Sequence, residues 1–247
     1  MHGYVMKIFI RTFLNFLFKR TTFHVMIGRY RDPNKPMLGR FVRSDIEPLL
    51  TKTYQYVDQL VPEADLSQYL SWGNRLNTLF GIYSLALYRA FRDSGITHER
   101  TIEILGDILW RLYALGVNIP LLFIRPFTKN PQTRLNFVLR VFLLFPFAED
   151  PIGYHRTYWK EKDRYCTDWH RCVVYDYFRK HGSEEEVELF RRTWCQYDFA
   201  LPRIIHPDGF YQRPHTLSSG DNVCDMRWYG KQNADSQNSE KTSINDC

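Results

Sequence analysis

A chain of 247 residues, 44% hydrophobic and 16% aromatic, has the length and apolar content to bury a core in one large domain or two smaller ones. Its formal net charge of +6 and pI near 9.0 come largely from the first forty residues, and the near balance of the rest argues against a nucleic-acid partner. Five cysteines, an odd number without short regular spacing, argue against a disulfide framework and for reduced thiols in a cytoplasmic setting, and Cys247 has no C-a-a-X context.

Residues 1–31 contain no acid, and Lys7, Arg11, Asn15 and Lys19 recur at four-residue spacing among Ile8, Phe9, Phe13, Leu14, Phe16 and Leu17. This is the pattern of a basic amphipathic helix, an arm with three readings: peripheral membrane contact through residues 7–20, an organelle-targeting segment, or a helix packed on the rest of the protein. The roughly 18 to 20 uninterrupted apolar residues of a bilayer span are not met, since residues 8–18 and 135–147 are short and broken by Arg11 and Arg140. The apolar stretch of the arm contains Arg11 and is followed by no small-residue cleavage site, unlike a secretory signal.

Turn residues at 31–40, with Asp32-Pro33-Asn34-Lys35-Pro36 and Gly39, mark a loop before a helical region over 41–150. Helices are expected at 45–60, 72–94 and 97–115. The second shows an apolar stripe of Leu76, Leu79, Phe80, Tyr83, Leu87 and Ala90 and stops at Gly95. In the third, Thr97 is the expected N-cap, and Ile104, Leu105, Ile108, Leu112 and Leu115 form the stripe. Pro120, Pro126 and Pro131 are expected to break the chain beyond this helix, and 134–145 reads as a central helix.

Beyond Asp150-Pro151 the pattern changes, and residues 151–230 form a C-terminal region. Residues 157–169 alternate like a strand, and 172–180 read as a helix ended by Gly182. Ser183 with Glu184, Glu185 and Glu186 is a capping-box start with acids on the positive end of the helix dipole. That helix is expected to carry Cys195 and Asp198 on one face near its far end. Residues 211–228 read as two extended segments around a Ser/Gly/Asp/Asn turn, which brings Arg213 and Thr216 near Cys224 and Asp225. The tail, 231–247, has almost nothing to bury and is expected to be disordered. The fold class is therefore α+β: a mostly helical N-terminal half packed on a C-terminal unit of helices and a small antiparallel sheet.

Four of the five cysteines fall between residues 165 and 229. A thiol works as a nucleophile only as thiolate, and cationic surroundings lower its pKa. Cys172 follows His170 and Arg171, Cys195 lies three residues before Asp198, and Cys224 precedes Asp225. Along a strand, neighbouring side chains point to opposite faces, so Asp198 is a better acid–base partner for Cys224 than Asp225 is. Each residue also has a plain role: a buried thiol, an Asp225–Arg227 pair, a structural salt bridge for Arg213, or backbone freedom for Gly220. A zinc site from Cys172, Cys195 and Cys224 with Asp198 or His170 is a weaker alternative, because the ligands are not closely paired.

The pattern Arg171-Cys172, an aromatic-rich helix ending at Gly182, Cys195-x-x-Asp198, Arg213-x-x-Thr216-Leu217-x-x-Gly220 and Cys224-Asp225-x-Arg227 closely resembles the L-2-amino-thiazoline-4-carboxylic acid hydrolase-like family. The resemblance is strongest over 160–230 and extends more weakly through 72–92. It implies ring-opening hydrolysis of a cyclic amidine-like carbon, from an aminothiazoline carboxylate to a carbamoyl-cysteine, without a cofactor. Such a step needs a nucleophile, a proton for the departing ring nitrogen and a cation for the substrate carboxylate. Cys224 or Cys172 is the expected nucleophile, with Cys195, Asp198 and Asp225 completing the catalytic candidates. Arg171, Arg213, Thr216, Gly220 and Arg227 are the expected substrate-binding residues. The expected partner is a small-molecule substrate. Met226, where relatives usually carry an aromatic residue, and the unmatched first sixty residues keep two rivals open: a binding protein without turnover, and an isomerase or cyclase working on an apolar substrate at a membrane.

Overall fold

A computed structural model describes residues 2–231, the side chains of 2–9 excepted. In chain order the main elements are α1 (His2–Met26), α2 (Arg43–Glu63), α3 (Trp72–Asp93), α4 (His98–Ile124), α5 (Pro131–Leu144), β1 (His155–Lys160), β2 (Tyr165–Arg171), α6 (Val173–His181), α7 (Glu184–Arg192), α8 (Trp194–Ile205), β3 (Phe210–Gln212) and β4 (Cys224–Tyr229). The fold is α+β, with a helical N-terminal half. The chain divides into two compact units: Met1–Tyr69 with Arg75–Tyr113 and Val173–Cys195, and Leu70–Asn74 with Ala114–Cys172 and Gln196–Cys247. The helical region 41–150 thus contributes to both units. The tail beyond Lys231 lies outside the described residues.

In the first unit, the basic arm is a structural helix over its described side chains. Leu14 and Phe18 are fully buried, and the Phe18 ring stacks on Tyr83 at 4.7 Å. Asn15, between them, accepts the Tyr83 hydroxyl at 2.5 Å through its side chain and the Tyr54 hydroxyl at 3.1 Å through its carbonyl. The expected stripe on α3 is too narrow, because the helix is buried on every side from Gly81 to Tyr88. The capping box at the start of α7 forms as expected. The Ser183 hydroxyl accepts the Glu186 N–H and the Glu186 carboxylate accepts the Ser183 N–H at 2.7 Å. Glu186 also binds Arg89 through two contacts of 2.7 and 3.1 Å, and Arg89 donates to the His181 carbonyl.

The second unit is built on a four-stranded antiparallel sheet of order β1-β2-β4-β3. One aromatic cluster sets half-buried Phe147 and Trp169 and fully buried Tyr154 edge to face, with centroids 5.0 to 5.5 Å apart. The buried Arg156 beside them donates to the carbonyls of Phe147 and Leu143. Near β3, the Tyr211 and Trp228 rings lie 4.3 Å apart, and the Trp228 indole N–H donates to Thr167.

Three elements differ from expectation. The strand expected at 157–169 is the hairpin β1–β2. Its turn, Glu161-Lys162-Asp163-Arg164, has Asp163 but no Gly, Pro or Asn, and is closed by the Arg164–Glu161 ion pair at 2.6 Å and a backbone bond between the same two residues. The helix starting at Ser183 ends at Arg192. Thr193 turns its hydroxyl back onto the Leu189 carbonyl at 2.6 Å and leaves helical geometry, so Cys195 and Asp198 sit on the separate helix α8. Helix α4 runs past Pro120 to Ile124, for the proline removes a single donor and Pro120 and Leu121 are buried. By length and composition α4 is long and apolar enough to cross a membrane, which no stretch was expected to be, although 33% of its most apolar window is buried.

Candidate active site

The second unit gathers Asp198, Arg213, Thr216 and Cys224. Asp198 comes from α8, and the chain returns from that helix through Gly209, where a Cβ would fall 2.2 Å from the Pro202 carbonyl oxygen. This tight return leads through β3 to Arg213. The Arg213 guanidinium lies 3.6 Å from the Asp198 carboxylate and faces the Phe199 and Tyr211 rings at 5.2 and 5.9 Å. Its side chain is only 5% exposed, so its charge acts with little water between it and its neighbours.

The loop from 213 to 223 folds over the first residue of β4. Thr216 is extended, Leu217–Ser219 make one 3-10 turn, and Gly220 closes it at a φ of 100°, a left-handed conformation that suits glycine. The Asp221 carboxylate holds the other end by accepting the Thr216 N–H at 2.7 Å. Inside this loop the Cys224 sulfur accepts the Leu217 N–H at 3.3 Å and lies 3.4 Å from the Thr216 hydroxyl, which is 3.2 Å from the Ser218 hydroxyl. Burial pushes the Cys224 thiol pKa up. Thr216, Leu217 and the charge of Arg213 pull it down, while Asp198 adds to the rise, and the balance stays above the ordinary thiol value.

The other candidates lie elsewhere. Asp225 points to the opposite face of β4 and accepts from both the backbone N–H of His215 at 2.7 Å and, at 3.0 Å, its Nδ1. Burial of Asp225 opposes its charge, but the two His215 donors outweigh that and hold its pKa below the usual carboxylate range; the same bond raises that of His215. Arg227 shares that face and pairs with Asp168 on β2 at 2.7 Å rather than with Asp225, over the ring of Trp159. Arg171, with His155, His170, Glu149, Asp150 and Pro151, lines a separate open cleft of about 530 Å³. Cys172 is half-buried after the end of β2, and Cys195 is buried and belongs to the first unit. Cys166, given no role from sequence, is pushed to about 11 by burial and by Glu161, which its thiol meets at 3.4 Å.

Among the described residues, the group of possible ligands that converges within 4.8 Å is His98, Glu99 and Glu188, in the first unit, where Arg192 already bridges both carboxylates. It contains none of the residues named for the zinc alternative. Sequence reasoning missed the Leu217 amide, Ser218, the rings of Phe199 and Tyr211, and the His215–Asp225 latch. The alternation along β4 was the available signal for the latch, because it sends Asp225 away from Cys224 and toward whatever precedes Thr216.

A buried thiol held by hydroxyl and amide donors, with the charges of Arg213 and Asp198 acting on it, brings together the group types that nucleophilic and proton-transfer chemistry use. The family model for L-2-amino-thiazoline-4-carboxylic acid hydrolase matches residues 138–228, supporting the family suspected from the motif, and the match takes in this loop and its cysteine. No curated protein and no solved structure matches the chain.

Proposed function

We propose that the chain is a hydrolase-like enzyme that opens a small heterocyclic amidine of the aminothiazoline-carboxylate type, with Cys224 as nucleophile. The observation that carries this reading is the Cys224 sulfur held by the Leu217 amide and the Thr216 hydroxyl, with the paired charges of Asp198 and Arg213 acting on it. Asp198 accepts the Cys224 thiol proton, the sulfur bonds to the amidine carbon, and the ring carbon–nitrogen bond breaks as Asp198 passes that proton to the nitrogen. Water then adds to the same carbon, Asp198 recovers a proton from it, and the Cys224 sulfur departs, leaving a carbamoyl-cysteine: one water is consumed and nothing else is released. Arg213 takes the substrate carboxylate, and the donors around the sulfur steady the thiolate before and after attack.

A second reading, binding without turnover, draws on one observation. Cys224 is 5% exposed and its thiol pKa is raised, both of which disfavour a resting nucleophile.

The test is incubation with L-2-amino-thiazoline-4-carboxylate, followed by mass spectrometry for carbamoyl-cysteine, with Cys224→Ala and Asp198→Asn in parallel. Loss of product in both variants supports the thiol route. Product from Cys224→Ala but not Asp198→Asn transfers the role to water activated by the carboxylate. Saturable binding without product from the wild type establishes the second reading.

A further inference from the structure

The second half of α4 carries an apolar face that the second unit leaves uncovered. Leu115, Ile119, Leu122 and Phe123 fall at helical spacing on one side, between 49% and 67% exposed, while Val117 and Leu121 are fully buried on the other. The face continues into the turn after the helix, where Phe127 is 83% exposed. This turn is firmly built. The Arg134 guanidinium donates to the carbonyls of Thr128 at 2.8 Å and Arg125 at 3.3 Å, and Asn130 caps α5 by accepting the Thr133 N–H.

Charge gives the face a second property. No acidic residue occurs between Asp107 and Glu149, while Arg125, Lys129, Arg134 and Arg140 all lie in that interval. Arg125 and Lys129 flank Phe127, are exposed, and have no ion-pair partner among the described residues. An apolar helix face with an aromatic residue at its tip and unopposed cations beside it is complementary to an anionic bilayer surface, where rings enter the interface and cations meet headgroups. In the first half of α4, Ile104, Leu105, Ile108 and Leu109 are fully buried in the first unit, so the uncovered apolar face lies on the second half.

We propose that this face, from Leu115 to Phe127, docks the protein on an anionic lipid surface. It is distinct from the contact expected for residues 7–20 and is independent of the reaction proposed above.

The test is flotation of the full chain with vesicles of phosphatidylcholine alone, or with roughly 30 mol % phosphatidylserine. The expected result is about tenfold stronger partitioning onto the anionic vesicles, reduced by high salt. The pair Phe123→Ser, Phe127→Ser is expected to lower it about tenfold, and Arg125→Glu with Lys129→Glu to abolish the preference for phosphatidylserine. Phe16→Ser on α1 is expected to leave binding intact, and circular dichroism to show every variant folded. The proposal is overturned if the folded wild type does not float, or if Phe16→Ser removes binding while the Phe123/Phe127 pair retains it. A dimer seen by light scattering and dissociated by the Phe123/Phe127 pair, without flotation, would assign the face to a second copy of the chain.

Discussion

Thr216→Val removes one donor from the Cys224 sulfur while preserving side-chain shape, and β-branched valine suits the extended backbone at this position, with φ −148° and ψ 135°. A hydrogen bond to a charged group contributes about 1.5 kcal/mol at the lower end of its range, the appropriate end for a sulfur contact of 3.4 Å. Since about 1.4 kcal/mol is a factor of ten, the thiolate fraction at neutral pH is expected to fall roughly tenfold. The assay is the rate of iodoacetamide modification at Cys224, read from its own peptide by mass spectrometry so that the other cysteines need no substitution. Arg213→Met is expected to slow modification too, because it withdraws a nearby positive charge. Asp198→Asn is expected to accelerate it, because it removes the negative charge that opposes the thiolate. If Thr216→Val and Asp198→Asn shift the rate in the same direction, or if neither changes it twofold, the electrostatic account of Cys224 is wrong.

Glu186→Ala is expected to cost about 3 to 4 kcal/mol, from a broken, largely buried ion pair to Arg89 and one lost N-cap contact; urea unfolding that registers under 1 kcal/mol would contradict this. Gly220→Ala meets no atom within 4 Å of the new Cβ, so its cost is backbone strain alone, about 1 kcal/mol, and Cys224 modification should accelerate as the loop opens. The His215–Asp225 latch sets a pH window. The raised His215 pKa gives stability that is complete below the unfolded histidine value and lost as pH rises through the folded one. The lowered Asp225 pKa gives stability present above the unfolded carboxylate value and lost as pH falls through the folded one. The latch is therefore strongest between about pH 4 and 6.5. Exchange of the His215 and Thr216 amides, corrected for intrinsic rates, should report more frequent opening at pH 8 than at pH 5.5, and His215→Ala should remove the difference.

Local signals in the sequence carried the elements that local chemistry closes. The Ser183–Glu186 box is self-contained, and β3 and β4 pair as expected because alternation and a polar, glycine-containing turn specify them together. That pairing is also why the neighbourhood of Arg213, Thr216 and Cys224 was readable. The elements that stayed hidden depended on contacts without a sequence rule. The backbone of Thr193 turns out of helical geometry and separates α7 from α8, an arginine–glutamate pair closes the β1–β2 turn around Asp163, and packing carries α4 past a proline. Arg227 was readable as a strand residue, but its partner came from β2, and the register that sets Asp168 diagonal to it arises from a hairpin whose sequence resembles one continuous strand.

The raised pKa of Cys224 bears on how the proposed reaction starts. A resting thiol that is neutral needs something to draw its proton away, and the protein supplies only a partial answer, because Arg213 favours the thiolate while Asp198 disfavours it. The proposed substrate can supply the rest. An amidine is basic and binds as a cation, so its ring brings positive charge to the sulfur while its carboxylate competes with Asp198 for Arg213. Asp198, released from full pairing, is then free to accept the thiol proton and pass it to the ring nitrogen. On this account the features that disfavour a resting nucleophile protect the thiol until substrate arrives, and binding is coupled to activation. The binding-only reading makes the opposite demand, that the thiol remain neutral with ligand present. The two separate on the thiolate absorbance of the complex near neutral pH: a rise on binding that Cys224→Ala abolishes belongs to the enzyme, and an unchanged spectrum belongs to the binding protein.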